Sequence, residues 1–208
     1  MIRAVYIVDD DAGIREELSE LLAARDVTVQ AFDSGEALLK ASPTLASGCV
    51  ILDLNLPGES GIAVQQRLRE AGADHQVIML TGEGDVPTAV QAMQAGASDF
   101  LLKPFAVRSL LASLEAAFGR LAEEQHAQSA RLQAQAALAR LSPRERDVLR
   151  ELINGAPNKV IAFTLGLSTR TVEMYRGNLM EKLGVRSLPD AMRLALAAGF
   201  ATVEQIAT

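Results

Sequence analysis

Short apolar runs alternate with amphipathic stretches along the first part of the chain. Ala4-Val5-Tyr6-Ile7-Val8, Cys49-Val50-Ile51-Leu52 and Val77-Ile78-Met79-Leu80 have the length and continuity of strands buried on both faces. The pattern predicts strands near 3–8, 27–32, 49–53, 76–81 and 99–102. Between them lie helical periods. Ile14, Leu18, Leu21 and Leu22 share one face of the first, with Asp11 as its N-cap. Further helices are expected near 35–41, 60–71, 86–95 and 106–118. Five βα units imply a doubly wound, five-stranded parallel sheet covered on both faces, with strand order 2-1-3-4-5.

The pattern changes after residue 119. The stretch to residue 140 is rich in Ala and Gln and has no Pro or strand signal. It predicts a linker helix, either continuous with the preceding helix or a loose spacer, rather than a regular coiled coil. Beyond it every period is helical. Ser142-Pro143-Arg144-Glu145 is a capping box with Pro at the first helical position. That helix ends at Asn154-Gly155. A second is expected near 158–165, a third, capped by Ser168, over 169–183, and a fourth near 189–198. The organisation expected is an α/β domain over 1–119, a linker helix over 120–140 and a small all-α domain over 141–208.

Charge sharpens this division. The net charge of −6 is uneven: residues 1–118 hold eight basic and 17 acidic side chains, whereas 141–208 hold nine and seven. An acidic half joined to a mildly basic one implies different partners for the two. Cys49 is the only cysteine, which excludes an internal disulfide and fits a reducing cytoplasm. No signal peptide or membrane-spanning run is expected.

The chemistry gathers at predicted strand ends. Asp9 and Asp10 follow the first strand, Asp53 ends the third, Thr81 the fourth, and Lys103-Pro104 follows the fifth. In an open parallel sheet these ends form one edge, where ligands bind. Crowded carboxylates there call for a hard cation, and a hydroxyl with an ammonium suits a phosphoryl group. Each residue alone has a plainer reading as a cap or turn. Their order at successive strand ends is what is specific.

On these residues the first part of the chain resembles the receiver domain of two-component response regulators. The resemblance implies that Asp53 is the phosphoacceptor. Mg²⁺ is held through Asp9, Asp10, Asp53 and the backbone carbonyl of Asn55. Thr81 and Lys103 engage the phosphoryl group, Lys103-Pro104 is a cis peptide, and Phe100 is the switch aromatic. The donor is a sensor histidine kinase. The chemistry implied is self-catalysed phosphorylation and autodephosphorylation, not turnover of a metabolite. Asn55 and Glu83, two residues beyond Asp53 and Thr81, are placed to hold a hydrolytic water. A phosphatase using Asp53 as covalent nucleophile is a different reading. The haloacid-dehalogenase-like pattern wants a second Asp where Asn55 stands.

The second and third helices of the C-terminal part read as a helix-turn-helix. Arg170, Glu173, Met174 and Gly177 fall on one face of the third, while Val172, Leu179 and Leu183 face inward. A protein-binding helical output is the other reading of this pattern. Leu141-Ser142-Pro143-Arg144-Glu145, Asn158-Lys159-Val160-Ile161-Ala162 and Ser168-Thr169-Arg170-Thr171-Val172-Glu173 resemble the LuxR-type DNA-binding domain. By that resemblance Glu173, Met174 and Gly177 face bases. Lys159, Thr171, Arg176 and Lys182 are phosphate contacts. The last helix is a dimer contact. Tyr175 stands where many relatives have His. Receiver and output together resemble the FixJ type of response regulator. The resemblance implies a cytoplasmic, phosphorylation-activated transcription regulator without membrane contact. It would dimerise when phosphorylated, through 86–105, bind double-stranded promoter DNA and work with RNA polymerase.

Overall fold

A computed structural model describes residues 3–82 and 86–201. Its first unit, Met1–Glu124, is built on a parallel sheet of five strands: β1 (Ala4–Val8), β2 (Thr28–Phe32), β3 (Gly48–Asp53), β4 (His75–Thr81) and β5 (Asp99–Leu102). The order is β2-β1-β3-β4-β5, with all pairs parallel. The connecting helices are α1 (Ala12–Ala23), α2 (Gly35–Ala41), α3 (Gly61–Glu70), α4 (Val86–Gln94) and α5 (Val107–Ala139). A 3₁₀ turn at Ser42–Thr44 extends α2, with Pro43 inside it.

The sheet has an apolar layer on each face. Val8, Val50, Leu52, Val77 and Met79 belong to one, packed with Leu38, Val64 and Leu68. Val5, Ile7, Ile51, Ile78 and Leu80 belong to the other, packed with Leu18, Leu22, Leu110 and Leu114. Alternate residues of one strand thus serve both layers, which is why the strands read as unbroken apolar runs. Asp11 caps α1 as expected: its Oδ1 accepts from the Gly13 amide at 2.8 Å.

The second unit, Gln125–Thr208, is helical throughout its described residues, with α6 (Pro143–Ile153), α7 (Asn158–Leu165), α8 (Thr169–Leu183) and α9 (Leu188–Ala197). The capping box of α6 is complete: the Glu145 amide donates to Ser142 Oγ at 3.3 Å, and the Ser142 amide donates to Glu145 Oε2 at 2.7 Å. Ser168 caps α8, and left-handed Gly166 and Gly184 end α7 and α8. Val148, Leu149, Ile161, Val172 and Leu179 are sealed in the core of this unit.

The stretch 120–139 is helical, as the linker reading has it. It is the continuation of α5, and the units divide at residue 124 rather than at its edges. The reason is burial. Leu121 still belongs to a receiver core layer, and Ala134 and Leu138 belong to the core of the second unit. Arg120 reinforces the near end, donating from Nε to Gln76 Oε1 at 3.0 Å.

One glycine fixes the end of β3. A Cβ on Gly61 would stand 2.4 Å from the Asp53 carbonyl oxygen and 3.0 Å from Leu54 Cα, both backbone atoms. Gly61→Ala must therefore push the strand end that carries Asp53. We expect a loss of about 1–3 kcal/mol in urea unfolding of the first unit, the usual cost of overpacking. An unchanged midpoint and slope would show that β3 yields freely there.

Candidate phosphoryl site and nucleic-acid interface

The topology brings four strand ends together. β1 and β3 are neighbours with Val8 opposite Leu52, so Asp9 and Asp53 emerge side by side. β4 borders β3, and Thr81 ends it one residue beyond the Asp53–Leu80 pair. The Lys103 amide donates to the Thr81 carbonyl at 2.7 Å, which anchors the turn after β5. The Lys103–Pro104 peptide is cis.

The side chains converge with the backbone. Lys103 Nζ donates to Asp9 Oδ2 at 2.6 Å and to Asp53 Oδ1 at 2.7 Å. The other oxygens are held by backbone: the Asn55 amide donates to Asp53 Oδ2 at 2.9 Å, and the Asp11 amide to Asp9 Oδ1 at 3.0 Å. Asp9, Asp53 and Thr81 are buried, at 2%, 5% and 0% exposure. Burial pulls the Lys103 ammonium down, but its hydrogen bonds to Asp53 and Asp9 more than offset this and leave its pKa raised. The lysine is thus a fixed cation between two buried carboxylates.

Other predicted residues stand less close. Asp10 and Asn55 are exposed at the rim. Among the described residues no three His, Cys, Asp or Glu side chains form a metal-holding group. Asp9 and Asp53 nevertheless share one cation, and all their donor atoms are hard oxygens, a set that suits Mg²⁺. Phe100 is half-buried against the layer that contains Met79. Glu83 lies outside the described residues.

In the second unit α8 presents the face read from sequence. Arg170, Glu173, Met174 and Gly177 are exposed, while Val172, Leu179 and Leu183 are buried. Tyr175 is half-buried against the core. The expected phosphate-binding residues differ in setting. Lys159 is exposed on α7. Thr171 shares the cap of α8, its Oγ1 2.7 Å from Ser168 Oγ. Arg176 donates to Asn158 Oδ1 at 3.4 Å. Lys182 donates to Glu145 Oε2 at 2.7 Å.

The Glu145–Lys182 pair escaped sequence reasoning, which saw only the cap. Glu145 is 3% exposed and joins the start of α6 to the end of α8. Burial raises its pKa, but the bonds from Lys182 and Ser142 outweigh this and leave it lowered. The residue pattern gave one clue: a carboxylate oxygen that accepts one cap amide has a further lone pair, which calls for a second donor if the helix start is buried.

Comparison with known proteins places this geometry. Residues 5–115 match the family described as response regulator receiver domain, and residues 139–195 match bacterial regulatory proteins of the luxR family. The transcriptional regulatory protein FixJ of Azorhizobium caulinodans is 44% identical over 200 residues, covering 96% of this chain and 95% of that protein. The chain belongs to the FixJ-type response regulators. Response regulator protein TmoT of Ectopseudomonas mendocina is 39% identical, with 91% of this chain and 86% of that protein covered. Among solved structures, response regulator StyR aligns with a TM-score of 0.82 at 37% identity, covering 94% of this chain and 99% of that one. Full-length FixJ from B. japonicum aligns at 0.59 and 40% identity, covering 96% and 98%. As a FixJ-type regulator, the chain is a phosphorylation-dependent transcription regulator with a receiver and a LuxR-type DNA-binding domain. No described helix is long and apolar enough to cross a membrane.

Lys182→Ala leaves Glu145 buried without its cation. At neutral pH this should cost the second unit roughly 1–3 kcal/mol, the penalty of an unsatisfied buried group. The folded Glu145 pKa is depressed, so its contribution is present above the unfolded value and lost as pH falls through the folded one. The gap between wild type and variant should therefore close below about pH 4.3, the ordinary Glu pKa. Urea unfolding at neutral and acid pH checks this, and a gap independent of pH would contradict it.

Proposed function

We propose that Asp53 is the phosphoacceptor of this regulator. The observation that carries the reading is the Lys103 ammonium held at 2.7 Å from Asp53 and 2.6 Å from Asp9 at one sheet edge. A histidine kinase supplies the phosphoryl group from a phosphohistidine. An Asp53 oxygen attacks the phosphorus, the P–N bond breaks, and the phosphoryl oxygens take over the ammonium that Asp53 had engaged. Lys103 neutralises part of their charge, and Thr81, buried at the end of β4, donates its hydroxyl to them. Asp9, Asp10, Asp53 and the Asn55 carbonyl would hold Mg²⁺, which supplies further charge neutralisation when bound. Hydrolysis of the acyl phosphate later resets the switch.

The phosphorylated group adds roughly two negative charges where a single carboxylate stood. Lys103 and Thr81 follow that charge, and Phe100 packs behind them as the switch aromatic. The change is read on 86–105, where Val90, Met93 and Leu102 are half-exposed apolar residues. Pairing through this face makes a homodimer, and α9 adds a contact between the paired output domains on DNA. Two α8 helices then address symmetric half-sites of double-stranded promoter DNA in the cytoplasm. Glu173, Met174 and Gly177 face bases, and Arg170 contacts DNA from the same helix face. Lys159, Thr171 and Arg176 hold phosphates. Lys182 contributes there only if it leaves Glu145. RNA polymerase is the downstream partner.

Acetyl phosphate with Mg²⁺ should add one hydroxylamine-sensitive phosphate to wild type and none to Asp53→Asn, by mass spectrometry. Equal labelling of the variant would contradict the assignment. On DNA, Lys159→Ala should weaken binding to every sequence and lower the salt slope by about 0.9 for each phosphate it had neutralised. Glu173→Ala should instead alter preference at one base pair by about 1–3 kcal/mol. A uniform weakening for both variants, measured by titration across a site library, would remove Glu173 from the base-reading set.

A further inference from the structure

Arg15 lies at the end of the first turn of α1, half-buried, and its Nη1 donates to the carbonyl oxygen of Asp9 at 2.7 Å. Among the described residues it forms no ion pair, although Asp9, Asp10, Asp11, Glu16 and Glu17 are all close to it in sequence. The guanidinium is engaged with one peptide carbonyl instead. That carbonyl belongs to the bond joining Asp9 to Asp10. A peptide group is planar, so a held carbonyl also holds the nitrogen and Cα of Asp10.

The neighbours of Asp10 are tied down independently. The Asp9 amide donates to the Phe32 carbonyl at 3.3 Å, and Asp9 Oδ1 accepts from the Asp11 amide at 3.0 Å. The Asp11 carbonyl accepts from the Arg15 amide at 3.2 Å, and Asp11 Oδ1 caps α1. Lys103 orders the two buried carboxylates, Asp9 and Asp53. Asp10 is different. Its carboxylate is exposed at the rim and makes no hydrogen bond among the described residues. Its direction is therefore set by its backbone, and the bond from Arg15 fixes the peptide plane before it. A charged donor makes that bond stronger than a neutral one would.

We propose that Arg15 is a positioning residue for the metal: by holding the Asp9–Asp10 peptide it aims the Asp10 carboxylate at the site shared with Asp53. This rests on the reading above that Asp10 and Asp53 hold Mg²⁺. The ion demands near-octahedral geometry and gives up water reluctantly, so a ligand that must first be ordered binds it more weakly. Charge alone predicts the opposite effect. A cation beside a metal site repels the metal, and its removal should strengthen binding. The sign of the change on removing Arg15 thus separates positioning from field.

The test titrates the unphosphorylated full-length chain with Mg²⁺, without a phosphodonor, and follows the amide resonances of Asp10 and Asp11 by NMR. Arg15→Met keeps an apolar stem and removes the donors. It should weaken Mg²⁺ binding by about 10–100-fold, the usual effect of losing a partner that orients a metal ligand. Asp10→Asn should weaken it too, and adding Arg15→Met to Asp10→Asn should cost nothing more, because Arg15 acts through Asp10. With acetyl phosphate, Arg15→Met should need more Mg²⁺ for half-maximal labelling and reach the wild-type rate at saturation. Should Arg15→Met not fold, Arg15→Gln carries the same comparisons. Four results overturn the proposal: unchanged or tighter Mg²⁺ binding in the Arg15 variant, a further loss in the double variant, a lower rate at saturating Mg²⁺, which assigns Arg15 to the phosphoryl group, or a loss seen only when a histidine kinase is the donor, which assigns it to the partner. A wild type without Mg²⁺ affinity, or Asp10→Asn with wild-type affinity, would fail the metal reading itself and the proposal with it.

Discussion

Two buried carboxylates on neighbouring strands repel, and the fold tolerates them because one ammonium is placed between them. Lys103 reaches Asp9 and Asp53 from a third strand end, so the sheet must hold all three ends in register for the charges to balance. Much of the first unit can be understood from this requirement. The unbroken apolar strands bury the sheet on both faces and leave no freedom for the edge to spread. Gly61 lets α3 start against the Asp53 backbone. The Asn55 and Asp11 amides fix the remaining carboxylate oxygens. A partly satisfied charge network is costly in a low-dielectric setting, so any change of charge at Asp53 must be answered by movement of its partners.

The second unit uses the same device for a different end. Glu145 is a buried carboxylate whose Oε2 accepts from both a backbone amide and an ammonium. It ties the first helix of the unit to the last turn of α8. Here the pair fixes the attitude of a helix rather than poising a reaction. The exposed face of α8 carries charged and small side chains of a size that suits a groove.

The sheet order, all five strands and the helices of both units are legible from period and caps. The reason is that each strand is buried on both faces and each major cap uses a side chain with one job, as at Asp11, Ser142 and Ser168. The gathering of Asp9, Asp53 and Lys103 follows from strand order alone. Asp10 illustrates the limit: adjacency in sequence to Asp9 puts it on the opposite side of the chain, at the exposed rim. Residues 120–139 are legible as a helix, but a sparse apolar pattern cannot show that Leu121 and Leu138 are each buried in a core. The pairing of Glu145 with Lys182 spans 37 residues and leaves no local trace.

Lys103 is thus what makes the two carboxylates tolerable. A double-mutant cycle on the first unit tests this, with urea unfolding of wild type, Asp53→Asn, Lys103→Met and the double variant in Mg²⁺-free buffer. With Lys103 present, Asp53→Asn removes an attraction and should not stabilise the unit. With Lys103→Met, the same change removes a repulsion from Asp9 and should stabilise it, giving a coupling of about 0.5–3 kcal/mol, the range for residues in direct contact. The same effect of Asp53→Asn in both backgrounds would contradict the account.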